Sequence, residues 1–468
     1  MTGPRLPPGP RLPPGPRLPP GPRLPPGPRL PPGPRLPPGP RLPWALQAPL
    51  YLAGPAWLER CRRRYGDRFT IRLGPFGDYV YLTDPEDIRA VFHGDDSLLH
   101  AGEANAAVLA PVLGPSSVLV TDEELHLRQR RRLTGPFHGG SVARLVPRMA
   151  AIAASDLDRW PVGRSFPVLA RMRAVTLEVI LQTVIGVTDE SRLAPLRSAL
   201  MAITDLPIWQ MAQFPLPALR SRRPWRSFWE RKARADALLA GEIERARSDP
   251  GLDDRPDVLA VLVRHREGDG TAMTGTELRD QIVTLLLAGH ETTATGLAWA
   301  LERLTRHPAV LARATEAARG GDERYLDAVV EETLRCRPVV PDVSRRLTAD
   351  YRLGPYSVPA GTFLTPAIAL VHRSGRAYPG PERFDPERFT GARPDPAVWL
   401  PFGGGNRRCL GAAFAATEMR VVLGQILRRM DLEPSADRPE RARMRHVTLV
   451  PHRGGRVRVA RRVAMPTG

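Results

Sequence analysis

The stretch from Thr274 to Arg306 constrains this chain most, because it reads as one helix of about 30 residues whose first half is apolar almost all round. Thr274-Gly-Thr-Glu277 has the form of a capping box, in which the Thr hydroxyl and the Glu carboxylate satisfy each other's backbone N–H groups. His307-Pro308 stops the helix, since proline excludes the residue before it from the helical region. At 1.5 Å per residue the helix is about 45 Å long and spans a whole domain. A helix that is apolar on every side must be buried. Yet Gly289, His290, Glu291, Thr292 and Thr293 interrupt the apolar run, and buried polar groups need partners or a task. Either Thr292 bonds back to the preceding turn and Glu291 pairs locally, or the group does chemistry.

The N-terminus is of a different kind. Gly-Pro-Arg-Leu-Pro-Pro runs in tandem from Gly3 to Pro38, and a variant unit ends at Trp44. A six-residue period with three prolines forms neither helix nor sheet interior, so residues 1–43 are expected to be extended, polyproline-like and solvated. Residues 44–468 are expected to form one large domain, mainly α with small β-sheets. Trp57 to Tyr65 has helical spacing, and Phe69 to Leu73 and Val80 to Leu82 alternate like strands. Strand texture returns near Tyr351 to Val358, Phe363 to Thr365 and Val447 to Val459. Leu206 to Arg231, rich in Trp and Phe, reads as a helix–loop–helix with exposed or ligand-facing aromatics.

A formal net charge of +19 suggests nucleic acid, but the detail argues against it. Of the 68 basic residues only Lys232 is a lysine, a bias that fits a GC-rich genome better than a binding surface. The arginines lie in short scattered runs with no stacking aromatics between them, so no specific nucleic-acid site is expected. A net basic surface does favour an acidic protein partner. Three cysteines, Cys61, Cys336 and Cys409, make no disulfide framework and fit a reducing compartment. With no apolar leader and no span-length apolar run, the expectation is a soluble, cytoplasmic protein.

Cys409 is the residue whose setting points to chemistry. It follows Pro401-Phe402-Gly403-Gly404-Gly405-Asn406-Arg407-Arg408 and precedes Leu410-Gly411. Three glycines let the backbone turn tightly and approach a bulky group closely. Helical spacing from Leu410 to Met430 puts Cys409 at a helix N-terminus, where the dipole lowers a thiol pKa. One thiolate is too few for zinc, which takes about four ligands, but is enough for haem iron.

Phe402-x-x-Gly405-x-Arg407-x-Cys409-x-Gly411 resembles the haem-binding signature of the cytochrome P450 family, matching at all five fixed positions. Glu332-Thr333-Leu334-Arg335, on a helix from Asp322 to Arg337, is similar to the family's Glu-x-x-Arg motif. Pro386-Glu387-Arg388-Phe389 resembles the segment that adds a second arginine, so the resemblance implies a buried Glu332, Arg335 and Arg388 network. A duplicate at Pro381 to Phe384 lies at a less suitable distance from Cys409. Ala288 to Thr293 resembles the oxygen-activation motif, in which Gly289 opens room beside bound oxygen and Glu291 and Thr292 deliver protons.

The same resemblance implies the cytochrome P450 fold. It makes Cys409 the axial ligand of haem b (Fe-protoporphyrin IX) and gives His126, Arg130 and Arg345 to the haem propionates. Arg346 is the second choice there, and His372 is a candidate by position only. It implies a monooxygenase that takes O₂ and electrons originating in NAD(P)H. No flavin, dinucleotide or iron–sulfur segment is present, so a separate acidic ferredoxin or flavodoxin with its reductase must supply them, docking near Arg407 and Arg408. Ala101–Val118, Leu206–Trp229, Leu285–Thr293 and Val339–Val343 would face substrate. Leu285, Ala288, Gly289 and Val343 would line a pocket for a lipophilic molecule, with Asp342 its odd polar member. The alternatives are a haem-thiolate peroxygenase or isomerase, a non-catalytic haem sensor, and an interaction protein driven by the repeat.

Overall fold

Thr274 caps the central helix as its sequence requires. Its hydroxyl accepts from Glu277 N at 3.1 Å and the Glu277 carboxylate accepts from Thr274 N at 2.9 Å. The helix, Gly275–Arg306, is buried over most of its length. In this computed structural model, which describes residues 36–463 except 53, 205–216, 224, 392–394 and 436–437, the helices Leu169–Ile180, Glu323–Cys336 and Ala412–Arg429 pack around it. They enclose the main apolar core, which runs through Leu133, Met172, Leu297, Leu301, Leu334 and Leu423.

The rest of the core sits on either face of a five-stranded sheet. Its order is Arg68–Arg72, Asp78–Leu82, Phe363–Pro366, Arg345–Leu347, Leu99–His100, and only the second and third strands are parallel. Because side chains alternate along a strand, Val80, Leu82 and Leu364 pack on one face with Ile88 and Phe92. Phe69, Ile71 and Tyr81 pack on the other with Leu58, Cys61 and Tyr51. Tyr81 stacks on Phe69 and Tyr79 on Phe363. The fold is mainly α with small sheets in a single domain. Leu99–His100, Ser165–Pro167, Arg345–Leu347, Met430–Leu432 and Ala442–Arg445 escape sequence reading because two to four residues show no alternation.

Among the described residues, no helix is long and apolar enough to cross a membrane. Most of the repeat and half of the Leu206–Arg231 segment lie outside the described residues. The final repeat unit does not stand free in solvent as expected. Leu36–Pro40 lies extended along the exposed edge of Arg68–Arg72, where Thr70 N donates to Pro38 O at 3.0 Å and Thr70 Oγ1 to Pro37 O at 2.7 Å. Gln47 Nε2 donates to Leu42 O at 2.7 Å. Gly39 lies so close to Thr70 that a Cβ would collide with the Thr70 carbonyl. The edge strand thus gains partners that its unpaired backbone needs.

Removing residues 1–35 should therefore leave the melting temperature unchanged. Removing 1–43 should cost about 2–3 kcal/mol, from the lost hydrogen bonds and packing, and Gly39→Val should reproduce much of that loss. Equal thermal melts for the two truncations would contradict the docking.

Candidate active site around Cys409

The loop carrying Cys409 is fixed by backbone chemistry. Cys409 N donates to Phe402 O at 2.9 Å, closing the turn. Gly403 and Gly405 adopt φ of 66° and 62°, a region that side chains disfavour. A Cβ at Gly404 would strike the Phe92 ring, and one at Gly405 the Phe92 carbonyl. Phe92, on the helix Pro85–His93, therefore holds the loop from behind. The following helix is Ala412–Arg429, capped by Gly411, so Cys409 lies just before the helix rather than in its first turn. Gly411 N–H donates to the sulfur. Burial pushes the Cys409 thiol above its usual value, outweighing Gly411 and the nearby Arg408 and Arg130 guanidiniums. The expected net lowering is absent in the protein alone. Cys409 is still the exposed cysteine; burial raises Cys61 to about 11 and Cys336 to about 12.

Beside the loop, positive groups outnumber negative ones. His126 and Arg130 share one face of the helix Glu123–Thr134. Arg345 comes from the short strand behind, and Arg407 from the cysteine loop. Burial, then Arg407 and Arg130, depress the His126 imidazole to about 3, so the ring is neutral. Burial and Arg407 lower Arg345 to about 10. Asp122 pairs with Arg407 at 2.5 Å, but it also accepts Gly102 N and Glu103 N at 2.7 Å. Among the described residues Arg130 enters no ion pair, and the Arg345 guanidinium donates only to the Ser344 carbonyl. Depressed pKa values in a crowd of cations mean that the site favours an added anion. Two carboxylates held by two or three cations, as on a haem edge, match this donor set.

Arg346 points elsewhere and pairs with Glu103 at the surface. His372 is also elsewhere: its Nε2 accepts from Leu400 N at 2.8 Å and burial lowers it to about 3. Arg407 turns inward, which leaves Arg408 as the exposed member of the pair expected to dock a partner.

On the central helix, Ala288 is exposed and Leu285, Leu287, Gly289, Glu291 and Thr292 are half-buried, while the rest of the helix around them is mostly buried. The spacing of three and four puts Leu285, Ala288 and Thr292 on one face. Gly289 was expected on a pocket wall. A Cβ there would instead meet Ile180 Cδ1, so the glycine serves the close approach of helix Leu169–Ile180. Thr292 Oγ1 donates to Ala288 O at 2.5 Å. Glu291 pairs not locally but with Arg173 Nε at 2.6 Å, and Arg445 Nε lies 3.8 Å from its other oxygen. His290 Nδ1 faces Thr176 Oγ1 at 3.0 Å, and burial lowers its pKa to about 4. Val343 is half-buried on the loop before Arg345. Arg173, Thr176 and Asp122 were missed because their partners are far away in sequence.

Glu332 and Arg335 form a fully buried bidentate pair at 2.6 and 2.8 Å. Arg388 Nε lies 3.7 Å from Glu332, in ion-pair rather than hydrogen-bond range. Arg335 also donates to the His372 and Arg383 carbonyls, and Glu332 accepts from Asp385 N at 2.8 Å. The duplicate segment thus contributes a main-chain carbonyl, while the Arg383 side chain is exposed and pairs with Asp385. Glu332→Gln would leave the buried Arg335 guanidinium without a counter-charge. It should cost about 3–5 kcal/mol in denaturant unfolding; a loss under 1 kcal/mol would show that the pair is dispensable.

The chain was compared with known proteins. The Cytochrome P450 family profile matches residues 36–458. "Putative cytochrome P450 135B1" of Mycobacterium bovis is 52% identical over 409 residues, covering 86% of each chain. "Putative cytochrome P450 135A1" of Mycobacterium tuberculosis is 40% identical over 404 residues, covering 86% of this chain and 90% of the relative. The structure titled "Retinoic acid bound cyanobacterial CYP120A1" superposes with a TM-score of 0.79 at 24% identity, covering 92% of this chain and 100% of that one.

Proposed function

This chain belongs to the cytochrome P450 family, and from that premise we propose that it is a haem-thiolate monooxygenase acting on a lipophilic substrate, in which the Cys409 thiolate would hold the haem iron. The observation that carries the reading is the exposed Cys409 beside Arg130 and Arg345, which have no ion-pair partner among the described residues. Haem, when bound, supplies oxygen activation, the thiolate favouring O–O cleavage so that one atom enters the substrate and the other leaves as water.

The chain's own residues do the rest. Gly411 N–H donates to the sulfur and tempers its charge. His126, Arg130, Arg345 and Arg407 would hold the propionates. Leu285, Ala288 and Val343 exclude water and hold an apolar skeleton. Thr292 Oγ1 and the Glu291 carboxylate hold and move protons at the cavity wall. Glu291 must first leave Arg173 Nε, because the two residues project from different faces of the helix. The electrons come from a separate acidic ferredoxin or flavodoxin with its NAD(P)H reductase, docking on the face that exposes Arg408. Three unpaired cysteines support a cytoplasmic setting.

One observation favours a peroxygenase instead: Glu291 and Thr292 are both engaged in bonds of their own. Turnover with NAD(P)H, ferredoxin and reductase separates the two readings. Under those conditions Glu291→Gln and Thr292→Ala should each lower product formation by about 10²-fold while retaining the haem spectrum. Undiminished turnover in both variants would remove their proton-delivery role.

A further inference from the structure

Asp342 lacks what most of the buried acids have, an arginine partner. Asp87 pairs with Arg68, Asp156 with Arg171, Glu242 with Arg192, and Glu302 with Arg303 and Arg306. Asp342 has no such partner among the described residues, in a chain with 68 basic residues. It lies on the loop between the helix Glu323–Cys336 and the strand Arg345–Leu347. That loop is pinned to the sheet by Val343 N donating to Pro366 O at 3.3 Å and Ala369 N to Pro341 O at 2.8 Å. Phenols surround the carboxylate. Tyr81 Oη donates to Asp342 Oδ2 at a long 3.5 Å. Tyr79 shares the Tyr81 face, their strand pairing in register with Phe363 and Thr365. Tyr51, from the helix Trp44–Leu52, hydrogen-bonds Tyr81. Asp342 as a residue keeps partial exposure.

The electrostatics agree with this geometry. Burial raises the Asp342 carboxyl to about 7, against only the Tyr81 hydrogen bond. In return Asp342 is the leading influence that raises Tyr51, and it adds to burial at Tyr79, which reaches about 12, and at Tyr81. A carboxylate so placed is stabilised by an incoming cation, and the phenol oxygens add electronegative atoms around it. Val339 and Val343 flank it on the same loop with apolar side chains.

We propose that Asp342, ringed by Tyr51, Tyr79 and Tyr81, is a specificity residue that binds the cationic head of the substrate, an organic ammonium on a lipophilic skeleton. This rests on the monooxygenase reading, whose substrate class it narrows. A carboxylate or sulfate head would be repelled from the same position, and an uncharged twin would be indifferent to Asp342.

The test is optical titration of the haem-loaded enzyme, reading the low-to-high spin shift. Three ligands of equal chain length are compared: decyltrimethylammonium, which cannot ligate iron, decanol and decanoate. The cation should bind at least tenfold more tightly than decanoate. Asp342→Asn, nearly isosteric, should cut that preference at least tenfold and leave decanol affinity unchanged. Tyr51→Phe, which removes one hydroxyl, should weaken the cation severalfold and serves as the second variant. An unchanged cation-to-anion ratio in Asp342→Asn, or tighter binding of decanoate by the wild type, overturns the proposal. Because the readout is binding, an enzyme that holds haem but oxidises nothing would sink the monooxygenase reading while the titration still decides this one.

Discussion

The buried Glu332–Arg335 pair is the contact on which the position of the Cys409 sulfur depends. Arg335 holds the His372 carbonyl, the His372 ring accepts from Leu400 N–H, and two residues later Phe402 closes the cysteine loop by accepting from Cys409 N–H. Glu332 meanwhile accepts from Asp385 N, anchoring the irregular segment between His372 and Leu400. That segment has little regular structure of its own, so a fully desolvated ion pair with every oxygen engaged does the work that sheet or helix would do elsewhere. The far side of the loop is set by Phe92, which leaves room for glycine alone at 404 and 405.

The same loop joins two electrostatic problems. Arg407 is carried in from the cysteine loop to meet Arg345 and Arg130, and Asp122 answers only part of the accumulated charge. A dianionic edge would relieve these cations, so binding and stability should be linked, with the folded state gaining whatever free energy the ligand contributes. Asp342 carries the reverse imbalance, an acid without a base.

Much of this was legible in the sequence where the signal is local. The capping box at Thr274, the proline after His307, the glycines around Cys409 and the i, i+3 spacing of Glu332 and Arg335 each state a geometry within a few residues. What escaped depends on contacts between distant segments. Gly289 looked like room beside a ligand, but what faces it is Ile180, more than a hundred residues earlier. Glu291 looked locally paired or free, but Arg173 holds it across the same helix crossing. Asp342 stood out as polar in an apolar loop, yet nothing in the sequence places Tyr51, Tyr79 and Tyr81 around it. The repeat misled in a different way, since its composition describes a free chain and cannot reveal that the last unit finds an open sheet edge.

The account stands on the Cys409 sulfur binding porphyrin iron, and the ferrous carbon-monoxide spectrum tests this most directly. The wild-type protein should show the red-shifted absorption peculiar to thiolate-bound haem, and Cys409→Ser should lose it. A serine variant that keeps the shift, or a native protein that takes up no haem, would contradict the assignment.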